Sequence, residues 1–373
     1  MHIEPFAVEI WMNEWETRCE FNLAETCVES LTIEELLEIS GKNSSDLSAL
    51  LPLKMTYGDI RGSDRLLGAI AALYETQGSQ NLITTHGTIG ANMLVHKALV
   101  SRGDRVVTIV PTYQQHYSIP ASIGADMVPL KLRAQDGYLP DLDALRARVT
   151  PDTRLIAMNN PNNPTGALMD RAMLEQIADI ARAADAYILC DEVYRGIDQT
   201  GSGTTPSIAD VYEKGVSTAS MSKAFSLAGL RLGWVAAPRD VIEAISIHRD
   251  YDTISVGRLD DHFAALALEN SARVLQRSRQ ITRTNLEIID AWIATQPRLN
   301  WVKPKSGTTT LVEFDLPMTS RALCVALLKE TGVMFTPGDA FGMEGTFRIG
   351  FANNTDVLKE GLEKVSAFLA RQP

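Results

Sequence analysis

Short apolar runs alternate with helix-length amphipathic segments between residues 81 and 235. The runs NLITTH, RVVTIV, RLIAMN and AYILCDEV are separated by segments such as NMLVHKALVSRGD and MLEQIADIARAAD. Runs of this length between helical segments are typical of buried strands in a mostly parallel sheet covered by helices. The pattern therefore predicts an α/β domain. Pro111, Pro161 and Pro164 follow strand runs, which indicates turns at the carboxyl edge of the sheet, where ligands of such sheets bind.

Residues 271–295 have a long helical period, and a pattern of strand, helix and strand comes after them in the sequence. The segments WVKPKSGTTTLVEFDL and FRIGFAN resemble strands, and ALCVALLKETG between them resembles a helix, which favours a smaller α+β domain. Helical patterns at 7–19 and 32–40 are expected to pack with it. We predict a large domain over 46–270 and a small domain formed by 1–45 and 271–373.

Composition narrows the classes of function. The chain has 373 residues, of which 45% are hydrophobic and 22% charged, and no apolar run is long enough for a membrane span. A net charge of -11 disfavours nucleic acid and anionic lipid as partners. The four scattered cysteines indicate reduced thiols rather than disulfides or a metal site. The acidic first residues lack the pattern of a secretion signal, so we expect a cytoplasmic protein.

Three motifs carry the candidate chemistry: NNPNNPTG at 159–166, DEVYRGI at 191–197 and SMSKAFSLAGLRLGW at 220–234. Each motif alone is a weak signal, but the trio in this order and spacing resembles the fold type I pyridoxal-phosphate (PLP) enzymes of aminotransferase class I/II. The resemblance implies an aminotransferase-like α/β fold with a mostly parallel seven-stranded sheet. It also implies pyridoxal 5'-phosphate as cofactor and an L-amino acid as substrate.

The resemblance assigns catalytic roles to Lys223, Asp191 and Tyr194. Lys223 would form the Schiff base with the cofactor and then move protons at the substrate α-carbon, as a base. Asp191 would keep the cofactor ring nitrogen protonated. Tyr194 and Asn163 match donors to the phenolic oxygen of the cofactor. The alternatives are a capping or turn role for Asp191 and a surface position for Lys223.

Further residues match the family's cofactor site. Arg231 has the planar fork that holds two phosphate oxygens, and the turn HGTIGA directs backbone N–H groups at the same anion. Tyr113 matches the aromatic ring that stacks on the cofactor, with core packing as its alternative. Tyr57 matches a tyrosine that reaches the phosphate across a subunit interface, which implies a homodimer with composite active sites. The predicted cofactor-binding set is Tyr57, Gly87, Thr88, Ile89, Tyr113, Asn163, Asp191, Tyr194, Ser220, Ser222, Lys223 and Arg231.

The substrate side of the site is predicted less completely. Arg348 in FRIGFAN matches the arginine that binds the substrate α-carboxylate beside Asn163, with a surface ion pair as its alternative. The broad expectation is amino-group transfer to a keto acid.

The segment FNLAETCVES departs from the glycine-rich pattern of many aminotransferases, and with the acidic start it is similar to capreomycidine-synthase-like enzymes. Those enzymes are cyclases that eliminate a substituent from a hydroxylated arginine and close a ring, a reaction that needs an acidic pocket. The candidate side-chain contacts are Glu25, Glu29, Asp260 and Asp261, with His86 as a possible proton carrier. Their alternative is a solvated acidic face.

Other classes lack their signatures. A nicotinamide dehydrogenase needs G-x-G-x-x-G after a strand, whereas GSGTTP at 201 lacks the third glycine. A DNA-binding regulator needs a helix-turn-helix extension, and the first 45 residues are too short and acidic for one.

Overall fold

The computed structural model describes residues 2–372. In this range the strands are β1 (Phe21–Asn22), β2 (Leu82–Thr85), β3 (Arg105–Val110), β4 (Asp126–Lys131), β5 (Thr153–Asn159), β6 (Tyr187–Asp191), β7 (Gly215–Ser220), β8 (Gly233–Ala236), β9 (Leu299–Trp301), β10 (Thr309–Phe314), β11 (Val333–Met334), β12 (Thr336–Pro337) and β13 (Thr346–Gly350). The helices are α1 (Ala7–Trp15), α2 (Ile33–Ile39), α3 (Asp64–Ala71), α4 (Gly87–Leu99), α5 (Gln115–Ile123), α6 (Leu142–Arg148), α7 (Arg171–Ala183), α8 (Ile208–Val211), α9 (Arg239–Arg249), α10 (Arg258–Glu269), α11 (Ser271–Ile293), α12 (Ser320–Thr331) and α13 (Thr355–Leu369).

The large sheet has seven strands in the order β2-β8-β7-β6-β5-β3-β4. Neighbours from β7 to β4 pair in parallel, whereas β8 is antiparallel to both β2 and β7. Every residue of β6 is buried, as expected for a central parallel strand covered on both faces. The predicted α/β class with a mostly parallel seven-stranded sheet is confirmed.

The carboxyl ends of the central strands meet at one edge. Asn159 at the end of β5 pairs with Asp191 at the end of β6, and Asp191 pairs with Thr218 in β7. Because these strands are parallel, the motifs that follow them in sequence emerge side by side. The three motifs found in the sequence therefore converge at this edge.

A second, antiparallel sheet has the order β12-β13-β10-β9. The N-terminal segment joins this part of the chain, since β1 pairs in parallel with β11 and Trp11 Nε1 donates to the carbonyl of Phe335 at 2.9 Å. Val28 and Leu36 instead pack in the cluster that contains Phe225. The residues between β1 and α2 thus cross from one core to the other. The division into 46–270 and 1–45 with 271–373 stays a prediction.

The predicted helical segments are present with slightly different bounds. The pattern at 271–295 corresponds to α11, and the pattern at 32–40 corresponds to α2. Thr32 caps α2, because its hydroxyl accepts from the Glu35 N–H while the Glu35 carboxylate accepts from the Thr32 N–H. The pattern at 7–19 divides into α1 and a short 3₁₀ turn. No helix within residues 2–372 is long and apolar enough to span a bilayer.

Candidate active site

A cavity of about 390 Å³, here called the central cavity, opens at the carboxyl edge of the large sheet. Residues at the ends of β5, β6 and β7 line it, together with residues of α1 and residues 24–27. Most of the predicted site residues line it: Glu25, Thr88, Ile89, Tyr113, Asn163, Asp191, Tyr194, Ser220, Ser222, Lys223, Arg231 and Arg348.

Asp191 is a buried carboxylate at the end of β6, with 3% of its surface exposed. Its Oδ2 accepts from Asn92 Nδ2 at 2.8 Å, and its Oδ1 accepts from the Val193 N–H at 3.1 Å. His116 Nε2 lies 3.8 Å from the same Oδ2. A buried carboxylate requires such donors, and this set fixes the orientation of Asp191 while one edge still faces the central cavity.

Lys223 follows β7, and its amino group contacts the side chains of residues 26 and 27. Its Nζ donates to Thr26 Oγ1 at 2.6 Å and to Cys27 Sγ at 3.2 Å. Burial favours the neutral amine, but the neighbouring groups of Cys27, Tyr194 and Glu25 outweigh burial and raise the pKa of Lys223 above its usual value. The lysine is therefore a charged group inside the cavity rather than a surface lysine.

One end of the central cavity presents groups suited to an anion. Gly87 begins α4 with φ of +66°, and a Cβ there would lie 3.0 Å from Arg231 Nη2, so glycine allows the arginine to approach the helix N-terminus. Thr88 Oγ1 is buried without a hydrogen-bond partner. Ser220 and Ser222 line the same end, and the Ser222 N–H donates to Ser220 Oγ at 3.3 Å. The unpaired hydroxyl and the guanidinium fit a phosphate group.

Tyr113 and Tyr194 both line the cavity. The Tyr113 hydroxyl donates to Glu9 Oε1 at 3.2 Å, and its ring lies 4.9 Å from the ring of Phe6. Burial, followed by the charge of Glu9, raises the pKa of Tyr113 far above its usual range. Burial also raises the pKa of Tyr194, against the effects of Lys223 and Arg348. Both phenols are therefore neutral hydrogen-bond donors at neutral pH.

Arg348 lies on β13 with only 2% of its surface exposed. Its Nη1 donates to Asn163 Oδ1, and its Nη2 donates to the Ala24 carbonyl and to Thr336 Oγ1, each at 3.1 Å. The Nε of Arg348 has no hydrogen-bond partner, and burial lowers the pKa of the Arg348 guanidinium. These partners are neutral, so a buried guanidinium faces the cavity without a carboxylate bound to it. That arrangement fits an incoming carboxylate.

Three carboxylates form an acidic wall of the cavity, which we define as Glu9, Glu16 and Glu25. Glu25 Oε1 accepts from the N–H groups of Thr26 and Cys27 at 2.6 and 2.7 Å. Burial opposes ionisation of Glu25, but Lys223 and these N–H groups lower its pKa overall. Burial, then Glu25 and Glu9, raises the pKa of Glu16. The acidic wall therefore contains one carboxyl group with a lowered pKa, Glu25, and one with a raised pKa, Glu16.

Several predicted residues lie outside the central cavity of their own chain. The Glu29 carboxylate accepts a hydrogen bond from Asn354 Nδ2 at 3.3 Å. The Asp261 carboxylate accepts hydrogen bonds from the N–H and the hydroxyl of Ser63 at the start of α3. Asp260, on α10, has a pKa raised by burial and lies close to His86, which is exposed ahead of α4. Glu29, Asp260 and Asp261 therefore do not line the central cavity of this chain, and their contact with substrate stays a prediction. His86 does not line it either.

Tyr57 is also outside this chain's cavity, with 74% of its surface exposed. It was expected to act across a subunit interface, and a single chain does not test that expectation.

Five further residues line the cavity that the sequence did not predict: Glu9, Glu16, Thr26, Cys27 and Asn92. The acidic start was recognised, but the cavity-facing side of α1 depends on how that helix packs. Asn92 lies about one helical turn after Thr88 in α4, on the same face of the helix. This spacing was the signal in the sequence that could have identified it.

The site fits pyridoxal 5'-phosphate group by group. Arg231 and the start of α4 suit its phosphate, and Lys223, Asp191 and Arg348 line the same cavity. The sheet order together with this arrangement defines a PLP-dependent enzyme of fold type I.

Comparison with known proteins gives the family. Residues 52–365 match the family model "Aminotransferase class I and II", and the chain belongs to this family. It is 30% identical over 362 residues to capreomycidine synthase of Streptomyces vinaceus, covering 96% of this chain and 92% of that protein. It is 27% identical to an arginine–pyruvate transaminase of Pseudomonas aeruginosa, covering 86% and 84%. A crystal structure of a PLP-dependent aminotransferase from Streptococcus suis matches with a TM-score of 0.97 and 41% identity, covering 100% and 99%. The predicted family and its cofactor are confirmed.

Proposed function

We propose that this enzyme transfers the amino group of an α-amino acid with a cationic side chain to a keto acid. The observation that carries this proposal is the acidic wall, which faces the same cavity as Lys223 and Arg348. Within residues 2–372, Glu9, Glu16 and Glu25 form no ion pair with another side chain within 4.0 Å. An arginine-like side chain would add a positive charge to that of Lys223, which favours ionisation of Glu25. The similarity to an arginine–pyruvate transaminase supports this substrate class.

The proposed cofactor contacts follow from the placement of the side chains. Arg231, Ser220, Ser222 and the first N–H groups of α4 would hold the phosphate, with Thr88 Oγ1 gaining the partner it lacks. Asp191 would accept a hydrogen bond from the ring nitrogen, and Asn163 and Tyr194 would donate to the phenolic oxygen. Tyr113 would lie against the ring. When bound, the cofactor supplies an electron sink for the α-carbon and an aldehyde that links to amines.

The chain's own groups bind and deprotonate the substrate. Arg348 would bind the α-carboxylate through its guanidinium, whose Nε has no partner, while Asn163 keeps the guanidinium in place. The Lys223 amine would then remove the α-proton and return a proton later. For that step Lys223 must be neutral, so its raised pKa has to fall when the ionic surroundings change.

A homodimer with composite sites belongs to the proposal. Large exposed apolar side chains concentrate in residues 51–60 and 247–259, and these two segments touch, since Arg258 Nη1 donates to the Lys54 carbonyl at 2.8 Å. Exposed apolar surface on this scale indicates a protein–protein interface. Tyr57 lies within it and would contact the cofactor phosphate of the partner subunit. We also propose a cytoplasmic location, because the four cysteines are free thiols.

A second candidate function is elimination and ring closure on a hydroxylated arginine. The specific observation in its favour is that Thr26 and Cys27 place polar side chains beside Lys223, where the family pattern described above has glycines. The similarity to capreomycidine synthase over most of both chains supports it.

Product analysis by mass spectrometry separates the two reactions. With arginine and pyruvate, we expect a keto acid that forms only when pyruvate is added. With a hydroxylated arginine, loss of water without an acceptor would instead favour the second candidate. Lys223→Ala is the control and should give neither product. Faster conversion of aromatic or acidic amino acids than of arginine would contradict a cationic substrate.

A further inference from the structure

The amino group of Lys223 has two side-chain partners from the N-terminal segment. Thr26 Oγ1 lies at 2.6 Å and Cys27 Sγ at 3.2 Å from Lys223 Nζ. Both partners line the central cavity, so the contact lies inside the site. The cofactor contacts assigned above use neither Thr26 nor Cys27.

The backbone of this segment is held from several sides. Thr308 Oγ1 donates to the Thr26 carbonyl at 2.7 Å, and the Cys27 N–H donates to Glu25 at 2.7 Å. On the other side, the Gly350 N–H donates to the Leu23 carbonyl at 2.7 Å. Because the backbone is held in this way, the Thr26 and Cys27 side chains start from fixed positions beside Lys223.

Such a pair of acceptors addresses a specific problem of a lysine base. A lysine side chain has many rotamers, and fixing it in one of them costs conformational entropy. Two hydrogen bonds of ordinary strength offset that cost. They also restrict the amine to positions near one point, which raises its effective concentration at the atom it deprotonates.

We propose that Thr26 and Cys27 form a docking pair for the Lys223 amino group and position it for proton transfer at the substrate α-carbon. Both are positioning residues that act through Lys223. The inference rests on the proposed role of Lys223 as base, and it adds residues that set the efficiency of that base.

The contact itself can be tested on the full-length chain without cofactor. The rate of Cys27 alkylation by iodoacetamide is measured against pH, with peptide mass spectrometry to follow each cysteine. If the ammonium of Lys223 touches the thiol, Lys223→Met raises the pH midpoint of Cys27 alkylation, because a positive charge favours the thiolate. Lys223→Arg keeps a charge and should shift the midpoint less. Cys19 is half-buried outside the cavity and serves as the internal reference. An unchanged midpoint in Lys223→Met overturns the proposal.

The positioning role is tested on the cofactor-loaded enzyme. Cys27→Ala and Thr26→Val should each lower kcat about 10-fold with KM nearly unchanged, as expected for loss of one hydrogen bond to a charged group. Cys27→Ser and Thr26→Ser keep an acceptor and should retain most of kcat. If Cys27→Ala and Thr26→Val both keep the wild-type kcat, or if only KM changes, the docking pair is refuted. Failure of the proposed function would look different, because the wild-type enzyme would then form no keto acid from arginine and pyruvate while the alkylation result would stand.

Discussion

Positively and negatively charged side chains line the central cavity together. Lys223, Arg231 and Arg348 face Asp191 and the acidic wall, all within one cavity of about 390 Å³. Each charge has a different set of partners: Asp191 has neutral donors, Arg348 has neutral acceptors, and Glu25 has backbone N–H groups. Buried charges that are satisfied without neutralising one another remain available to a zwitterionic ligand.

Glu16 gives a prediction about pH. Its pKa lies above the ordinary glutamate value of 4.5, through burial and then the charges of Glu25 and Glu9. The carboxylate form attracts a cationic side chain and the protonated form does not, so affinity is full at higher pH. It should fall as pH is lowered through the raised pKa. Isothermal titration with arginine should therefore show weaker binding starting above pH 4.5.

Glu16→Gln is the matched variant for this measurement. It should bind arginine about 10-fold more weakly at neutral pH and lose the part of the pH dependence that Glu16 contributes. A neutral amino acid such as methionine is the control and should bind both proteins alike. An equal loss of arginine and methionine binding in the variant would remove Glu16 from the side-chain pocket.

The site residues that could be predicted from the sequence lie within a recognisable motif or at a fixed spacing from one. Asp191 and Lys223 lie within the three motifs, and the structure brings both into the cavity. Glu9, Glu16 and Cys27 could not be assigned, because their roles depend on α1 and residues 24–27 folding over a distant part of the chain. Glu29 is predicted as a contact for a guanidinium side chain; in this chain its side chain contacts Asn354, and the prediction is not tested.

The segment between β1 and α2 depends on close packing against β13. A Cβ on Gly350 would overlap the backbone oxygen of Glu25, so glycine is required for the two backbones to approach. Arg348, two residues earlier on the same strand, donates to Ala24 in this segment. One strand therefore positions both the proposed carboxylate-binding arginine and the segment that contacts Lys223.

Gly350→Ala should disrupt this approach. We expect the free energy of unfolding to fall by about 1–3 kcal/mol, as for other substitutions that overfill a packed site, together with a loss of kcat. Denaturant titration and steady-state kinetics measure the two effects. Gly68→Ala is the control, because Gly68 lies exposed in α3 with no atom within 4 Å of a new Cβ. Similar stability and activity in the two variants would contradict the account of this contact.

At the level of helices and strands, the alternation of apolar runs was sufficient to predict the mostly parallel sheet. The strands β3, β5 and β6 coincide with the runs that were singled out. The pairing of β1 with β11 could not be predicted, since two residues give no periodic signal. The end of α1 at Trp15 likewise differs from the pattern, which continued through the 3₁₀ turn at 16–18.

In the proposed dimer, each active site contains residues from both chains. Leu51, Met55 and Tyr57 are exposed by 84%, 74% and 74%, which is high for such residues unless they face a partner. If Tyr57 reaches the neighbouring site, two defective chains can complement each other. A heterodimer of Lys223→Ala and Tyr57→Ala chains would contain one site with both residues intact.

Refolding an equal mixture of these two variants tests the composite site. Random pairing makes half of the dimers heterodimers with one intact site of two, so activity should reach about a quarter of wild type. Each variant refolded alone is the control and should stay strongly impaired. A mixture whose activity equals the mean of the two controls would contradict the composite site, and a monomer in sedimentation would contradict the dimer.

The central claim is that Lys223 carries the cofactor covalently, with Asp191 beside the cofactor ring. Borohydride treatment of the cofactor-loaded protein, followed by peptide mass spectrometry, tests it most directly. The account predicts a stable cofactor adduct on the peptide that contains Lys223 and no adduct in Lys223→Ala. A wild-type protein that remains unmodified with excess pyridoxal 5'-phosphate, or that carries the adduct on another lysine, would contradict it.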